Sequence, residues 1–574
     1  MNAKSWGGCF AKAFAILPVA VWQTAVSAAV IEGRVFLDAN RNGRAESDEP
    51  GIEHVAVSDG LSVAITDASG GYRLETPGAS ALVWICVPRD HAASGTFWHA
   101  VEGTARGDFG VVSCRQTDDF NFVQISDTHI GRDDLLKQFA GHLSELPLSV
   151  AFVMNTGDLV AGVDVVAPEK AQAQFDKYLG AAAAFRQPLY QLPGNHEHVA
   201  HNVKGVGQAH PFYGKGLYRR LLGPTYYSWD WAGVHCVALD GTTLPYQERL
   251  GVGQLAWLKA DLQNQPAERP LILFCHQSLP ELRDAKDLAG ILKDRKVLGA
   301  FCGHLHQTFT TQLAGIPVYQ TGAMSGAWWS GPNIDGTPQG FRLVQVKGGT
   351  LKTVYVSREG ACPLSVVAPL ATGVQSGTTD VEVAVVDFGR PVEMSAAFVG
   401  NPVLLAKTGR EELWSFWKAT VDTRQAFDGD RIFHVTAKQG ETTSAFDIRY
   451  LVDNGRRADY ESAAPATLKL QVRGINAADE VLFNGEPLGT IPADATNETT
   501  VAFAIAKERL VKFNRVVIRA AAEGTGRDLF SVGPVWLEYK GKRVCDLRYA
   551  SFERHVIVGN DPRRCEKTLF YCLP

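Results

Sequence analysis

From Val30 to about Cys114, apolar and polar positions alternate with a period of two, in short runs such as IEGRVFL, HVAVSDG, SVAIT and GYRLETP separated by Gly, Asp and Ser. That pattern predicts the strands of a small β-sandwich. Between Asn121 and about Val356 the pattern changes. Apolar strand-like runs there alternate with longer stretches of helical period, such as PEKAQAQFDKYLGAAAAF and QLAWLKADLQ, which predicts an α/β segment. Beyond Cys362 helical period is sparse, and TDVEVAVVDFG, FHVTAKQG and AFDIRYLV read as strands. After ESAAPA, near Ala463, come LKLQVRG, EVLFNGEPLGTIP and VGPVWLEYKG, so one or two all-β modules are expected, with the Ala/Pro stretch as a linker.

Length supports several units, because 574 residues at about 150 per domain suggest three or four. The expected division is 1–28, 29–116, 117–360 and 361–574, the last splitting at 361–460 and 461–574. A composition of 45% hydrophobic and 20% charged residues is that of compact globular domains. The net charge of −5 provides no basic field for a nucleic-acid backbone, so nucleic acid is not a favoured partner.

Lys4 and Lys12 precede an Ala-rich apolar run, Ala13 to Trp22, that ends in small residues at Ala28 and Ala29. This reads as a secretory signal, and a periplasmic or secreted protein is expected, with no transmembrane segment after cleavage. Export permits disulfides. Cys86 with Cys114, and two among Cys545, Cys565 and Cys572, are the candidate bridges, whereas Cys236, Cys275 and Cys302 sit in apolar runs and are expected as buried thiols.

Within the α/β segment, polar clusters follow strand-like runs. FNFVQISDTHIG carries Asp127 and His129 two residues apart, on one side of an extended chain. VAFVMNTGDLV ends in Asp158, and PLYQLPGNHEH supplies Asn195 and His196. PLILFCHQS supplies His276, and LGAFCGHLHQ supplies His304 and His306. Loops past the carboxyl ends of strands are where open α/β sheets build their sites. Carboxylate, imidazole and amide oxygen together suit divalent manganese, iron or zinc, and this inventory exceeds what one ion needs.

The blocks DTH, GD, GNHE, H and GHLH, in this order, resemble those of the calcineurin-like metallophosphoesterases over roughly Asn121 to Val356. The resemblance implies a central α/β domain folded as a four-layer αββα sandwich, here flanked by an N-terminal β-sandwich and C-terminal all-β modules. It implies one metal held by Asp127, His129 and His306, and a second by Asn195, His276 and His304, with Asp158 bridging the two. His196 would face the scissile phosphate of a phosphomonoester or phosphodiester and assist the leaving group. The expected substrate is a small-molecule or glycan-linked phosphate ester. A contrasting reading is a surface carbohydrate-binding protein with a vestigial metal domain.

Four further features are weaker. DANRNGRAESDE places Asp38, Asn40, Asn42, Gly43 and Glu49 at calcium-loop spacing and resembles the calcium-binding turn of bacterial surface β-sandwich repeats, although a polar hairpin turn would use the same residues. Trp328 and Trp329, in GAMSGAWWSGP, read as candidate substrate contacts beside the metals or, equally, as side chains that pack the loop or the adjoining β module. An insertion from His198 to Tyr227 carries Lys204, Lys215, Arg219 and Arg220, which read as a substrate rim or a solvated face. The last hundred residues loosely resemble the jelly-roll modules of carbohydrate-active enzymes.

Overall fold

The computed structural model describes residues 29–574 except 77–81, 102–105, 132–133, 244–246, 328, 457, 476–477, 493–497, 522–528, 547–554 and 559–564. The expected signal segment, Cys9 and Trp328 lie outside the described residues. Strands dominate, and the five α-helices among the described residues all fall between Leu135 and Leu292. None of them is long and apolar enough to cross a membrane.

The N-terminal residues form two four-stranded sheets. One runs Gly71–Thr76, Ala29–Leu37, Phe109–Ser113, His91–Ala93, and the other Val63–Ile65, Ala56–Ser58, Leu82–Ile85, Trp98–Ala100. Period-two patterning explains them: in GYRLET, Tyr72 and Leu74 are buried while Arg73 and Glu75 face solvent. Their core continues into the next segment, where Val35, Val57 and Ile85 share one apolar cluster with Phe122, Phe152 and Trp229.

Two sheets carry the central segment. Five strands run Leu189–Gln191, Val153–Asn155, Phe120–Ile125, Gly340–Lys347, Thr350–Ser357; six run Tyr227–Trp231, Val234–Leu239, Leu271–Cys275, Val297–Cys302, Ile316–Gln320, Phe309–Leu313. The sheets meet through aromatic side chains. The Phe122 ring stands edge-on to Phe274 and Phe301, at 5.8 and 5.5 Å. Each such buried side chain stabilises by about 1.5–3 kcal/mol.

Helices cover the outer faces. Phe139 of Leu135–Glu145 and Phe175 of Pro168–Ala182 pack beside Val123 and Val153 of the five-stranded sheet. Trp257 of Gly251–Gln263 and Leu288 of Ala285–Leu292 pack beside Leu273 and Ala300 of the six-stranded sheet. Fully buried parallel strands explain why VAFVM and LILFC are continuous apolar runs.

Beyond Cys362 the described residues form two large cores and a small cluster of Leu451, Phe513 and Phe570. One lies between a sheet containing Thr378–Val386 and Trp414–Asp422 and a sheet containing Gly429–Gln439 and Thr442–Val452. The other joins Leu468 and Leu537 of one sheet to Val481 and Val516 of another.

Two sequence expectations are corrected. Cys86 and Cys114 do not bridge, because Cys86 is buried against His235 while Cys114 is half-buried; Cys545 and Cys572 are also thiols, which leaves no pair among the three C-terminal candidates. Cys236, Cys275 and Cys302 are buried thiols, as expected. Lys215 is neither rim nor solvated face. Its buried ammonium bonds the Asp240 carboxylate and both the carbonyl and the hydroxyl of Thr242.

Candidate metal centre

Strands Phe120–Ile125, Val153–Asn155 and Leu189–Gln191 are adjacent and parallel, pairing Val123 with Val153 and Asn155 with Gln191. Asp127, Asp158 and Asn195 therefore leave one sheet edge side by side. Across from them, the parallel strands Leu271–Cys275 and Val297–Cys302 release His276, then His304 and His306. Sequence-distant blocks meet because both sheets present the same ends to one crevice.

Of four groups among the described residues whose ligand atoms lie within 4.8 Å of one another, three meet here: Asp127 with His129 and His306, Asp158 with His276 and His304, and His129 with Asp158 and His196; the fourth, Cys86 with Asp230 and His235, lies elsewhere. His276 Nε2 lies 3.1 Å from Asp158 Oδ2 and 3.1 Å from Asn195 Oδ1. His306 Nε2 lies 3.3 Å from both Asp127 Oδ1 and His129 Nε2. All seven candidate ligands are thus brought together, with His196 above them, its ring centroid 4.8 Å from that of His129.

Imidazole orientation is set from behind. His276 Nδ1 pairs with the Thr156 carbonyl at 2.8 Å and His306 Nδ1 with the Ala327 carbonyl at 2.6 Å. Each Nδ1–H donates to its carbonyl, so each Nε2 turns towards the carboxylates, the arrangement typical of metal-binding histidine. Without a cation, His129 Nε2 and His306 Nε2, 3.3 Å apart, would have each other and the Asp127 and Asp158 carboxylates to face. Burial works to lower the His306 imidazole, yet the Asp127 charge raises it overall, and Asp158 brings His276 up to about 9 against the same burial. Burial also works to raise Asp127, but the neighbouring His306 and His276 bring it down to about 2. Burial holds His129 down, at about 3, and its buried Nδ1 has no hydrogen-bond partner. Nitrogens and carboxylates so arranged fit divalent cations.

The backbone is strained at the same place. Asp127, His129, Asp158, His304 and His306 all adopt left-handed φ, between 39° and 73°. Such residues are uncommon and cost of order 1–3 kcal/mol each, and they collect where a fold aims side chains at a site. Two glycines make room. A Cβ on Gly194 would lie 2.2 Å from Asp158 Oδ1, and one on Gly303 1.7 Å from Ser126 Oγ.

Glu197 was not singled out from the sequence, where it reads as one letter of GNHE. Fully buried, its carboxylate accepts from the amides of Leu159 at 2.8 Å, Val160 at 3.1 Å, Asp158 at 3.1 Å and Gly194 at 2.6 Å. It binds the Asp158 loop to the Asn195 loop and is a positioning residue. Burial, with Asp158 nearby, pushes its carboxyl up to about 7. A buried acid needs many partners, which is the signal available in the sequence: an acidic residue inside a glycine-flanked loop block. Glu197→Gln turns an NH2 group towards amide donors, and kcat is expected to fall tenfold to a hundredfold with a lower bound-metal content. Metal analysis beside kinetics checks this, and unchanged metal content would remove the positioning role.

The other sequence candidates lie at the edges. Trp329 is 48% exposed, with its ring 5.3 Å from His129 and 6.1 Å from His196. In the calcium-spaced turn, Asp38 accepts from the amides of Asn42 and Gly43 and from Ser94, while Glu49 accepts from those of Ala39 and Glu46. Asn40 and Asn42 donate to Glu46, so the turn is closed by its own hydrogen bonds. Among the described residues, it is not one of the places where three His, Cys or carboxylate ligand atoms converge.

Residues 120–308 match the family model described as calcineurin-like phosphoesterase. A cAMP/cGMP dual specificity phosphodiesterase of Mycobacterium tuberculosis is 24% identical over 222 residues, 35% of this chain and just under two thirds, 66%, of the relative. The 3',5'-cyclic adenosine monophosphate phosphodiesterase CpdA of Escherichia coli is 27% identical over 267 residues, 40% of this chain and 87% of that one. Among solved structures, a putative 5'-nucleotidase from Staphylococcus aureus aligns at 16% identity over 42% of this chain and 53% of its own, with a TM-score of 0.27. Residues 120–308 accordingly belong to the calcineurin-like phosphoesterases, a family of metal-dependent phosphoric ester hydrolases.

Proposed function

We propose that this chain is an exported dimetal phosphoesterase that hydrolyses a phosphodiester or phosphomonoester. The carrying observation is the placement of two carboxylates, Asp127 and Asp158, between two sets of imidazoles on opposed sheet edges. Asp127, His129 and His306 would hold one divalent cation of manganese, iron or zinc type. Asn195, His276 and His304 would hold the other, with Asp158 shared. When bound, such ions polarise phosphoryl oxygens and lower the pKa of water towards neutrality. The Thr156 and Ala327 carbonyls orient His276 and His306 so that their Nε2 atoms would face the ions, and Glu197 fixes Asp158. His196, half-buried beside His129, would give a proton to the leaving oxygen, a contribution typically of about a hundredfold or more.

The central unit is read as a four-layer αββα sandwich over residues 117–360, supported by the helices on both outer sheet faces. The paired sheets on either side of it support a sandwich over 29–116 and β modules over 361–460 and 461–574. Periplasmic or secreted location rests on the charged, apolar and small-residue order of the first 28 residues. The relatives named for cyclic nucleotides favour the diester branch.

The test is hydrolysis of paired aryl phosphate monoester and diester substrates by the purified protein, with manganese added or metals chelated. Metal-dependent release from the diester is expected to exceed that from the monoester. Absence of release from both, with metals bound, would sink the proposal.

A further inference from the structure

The candidate centre does not end at Trp329. That indole forms one wall of a hollow of about 550 Å³ whose other walls include Asp134, Gln138, Gln339 and Arg358. A second hollow of about 740 Å³ shares Gly331, Gln339 and Arg358 with the first, and its far wall is the outward face of Thr442–Val452, in the β unit that follows the catalytic segment. Adjoining at these three residues, the two hollows together reach from Trp329, whose ring lies 5.3 Å from that of His129, to Thr442–Val452. Both volumes fall in the range of about 300–1,000 Å³ usual for small-ligand sites. Their shared wall is also fastened to the centre: Arg358 Nε donates to Gln339 Oε1 at 3.1 Å, Gln339 Nε2 to the Ser325 carbonyl at 2.8 Å, and Ser325 Oγ to the Asp127 carbonyl at 2.7 Å.

The chemistry of the lining narrows the occupant. Arg449 pairs with Asp430 at 2.6 Å and Arg358 with Glu359 at 2.7 Å, while Asp447 pairs with His434 at 2.5 Å. Charges so paired offer donors and acceptors but no positive field, so a second phosphate or a nucleic-acid strand has nothing to recruit it. Apolar surface from Pro332, Ile334, Pro338 and half-buried Phe446 makes up the larger part of the lining, but the ion pairs stand among these side chains, and a bare acyl chain would cover them without bonding them. A neutral chain rich in hydroxyls meets both demands: its hydroxyls bond the ion pairs and its ring faces lie on the aromatic and proline surfaces. We propose that these adjoining hollows are an oligosaccharide subsite, and that the substrate is a phosphate ester linked to a glycan of three or more sugars, with the sugars running past Trp329 towards Thr442–Val452. The inference rests on the phosphoesterase reading for the reaction, but the binding itself stands apart from it.

The experiment uses the full chain in two steps. Metal-stripped protein is applied to a panel of neutral gluco-, manno-, galacto- and N-acetylglucosamine-based trisaccharides. Retention of at least one is expected, with loss in Ala445→Trp, which fills the second hollow from an exposed strand position. Arg449→Ala, equally exposed, should weaken retention about tenfold. The p-nitrophenyl phosphodiester of the retained sugar is then compared with p-nitrophenyl methyl phosphate. A kcat/KM at least tenfold higher for the sugar ester is expected, falling to the methyl value in Ala445→Trp while methyl ester turnover is unchanged. No retention of any trisaccharide, or retention indifferent to both substitutions, overturns the subsite. Retention without turnover of either ester would keep the sugar site and overturn the reaction assigned to it.

Discussion

Asp158→Asn is expected to lower turnover of the aryl diester by about a thousandfold or more while leaving the fold in place. The carboxylate lies 3.1 Å from His276 Nε2 and within 4.8 Å of ligand atoms of His129, His196 and His304, so it stands at the junction of both imidazole sets. Its charge is the part that matters. Burial opposes ionisation, but His276 and His196 hold its carboxyl well below the usual range. Asparagine keeps the volume and one oxygen, yet forfeits the charge that compensates two cations. Losing several kcal/mol of charge stabilisation corresponds to a thousandfold or more in rate, at about 1.4 kcal/mol per tenfold. Oδ1 also accepts from the His196 amide at 2.9 Å, so the asparagine rotamer that keeps its oxygen there turns nitrogen towards His276. Circular dichroism should match the parent, and metal analysis should show fewer bound ions. Turnover within tenfold of the parent would overturn the shared-ligand role.

This cluster was legible before folding because each of its blocks is local. Asp127 and His129, like His304 and His306, are two residues apart after an apolar strand, and the strand-end rule places them on one edge. What stayed hidden depends on partners that are distant or on burial that charge patterning cannot show. Lys215 lies 25 residues from Asp240, and an insertion rich in Lys and Arg reads as solvent-facing until both are seen to be buried. Cys86 and Cys114 looked pairable because compartment and count were the only guides, whereas Cys86 is in fact committed to a polar group in the core, beside His235. Glu197 was visible but its role was not, since four backbone amides leave no mark on side-chain patterning. The left-handed backbone at five site residues was equally invisible, because only glycine advertises positive φ in sequence.

His235 makes the largest stability prediction. It is fully buried, with Nδ1 2.8 Å from Asp230 Oδ1 and Nε2 2.9 Å from Asp261 Oδ2, so both nitrogens must carry protons to donate. Asp230 is its cross-strand partner in the hairpin and is also held by Arg269 at 3.1 Å, while Asp261 accepts from Ser228 Oγ at 2.9 Å. Burial disfavours the imidazolium, but Asp261 and the two hydrogen bonds outweigh it and raise the group well above its ordinary 6.5. Cys86, in contact, is pushed by burial and Asp230 up to about 11 and stays neutral over the working range. His235→Leu leaves the buried Asp261 carboxylate without its cation and the half-buried Asp230 with Arg269 alone, which should cost about 3–5 kcal/mol. A raised folded pKa fixes the sign of the pH effect: the protonated ring stabilises fully below the unfolded value near 6.5, and that contribution is lost as pH rises through the folded value. Urea unfolding of parent and variant should therefore show the widest gap at or below pH 6.5, narrowing steadily in alkali. A gap that stays constant from pH 6 to 10 would mean that packing, not the imidazolium, holds this corner of the core.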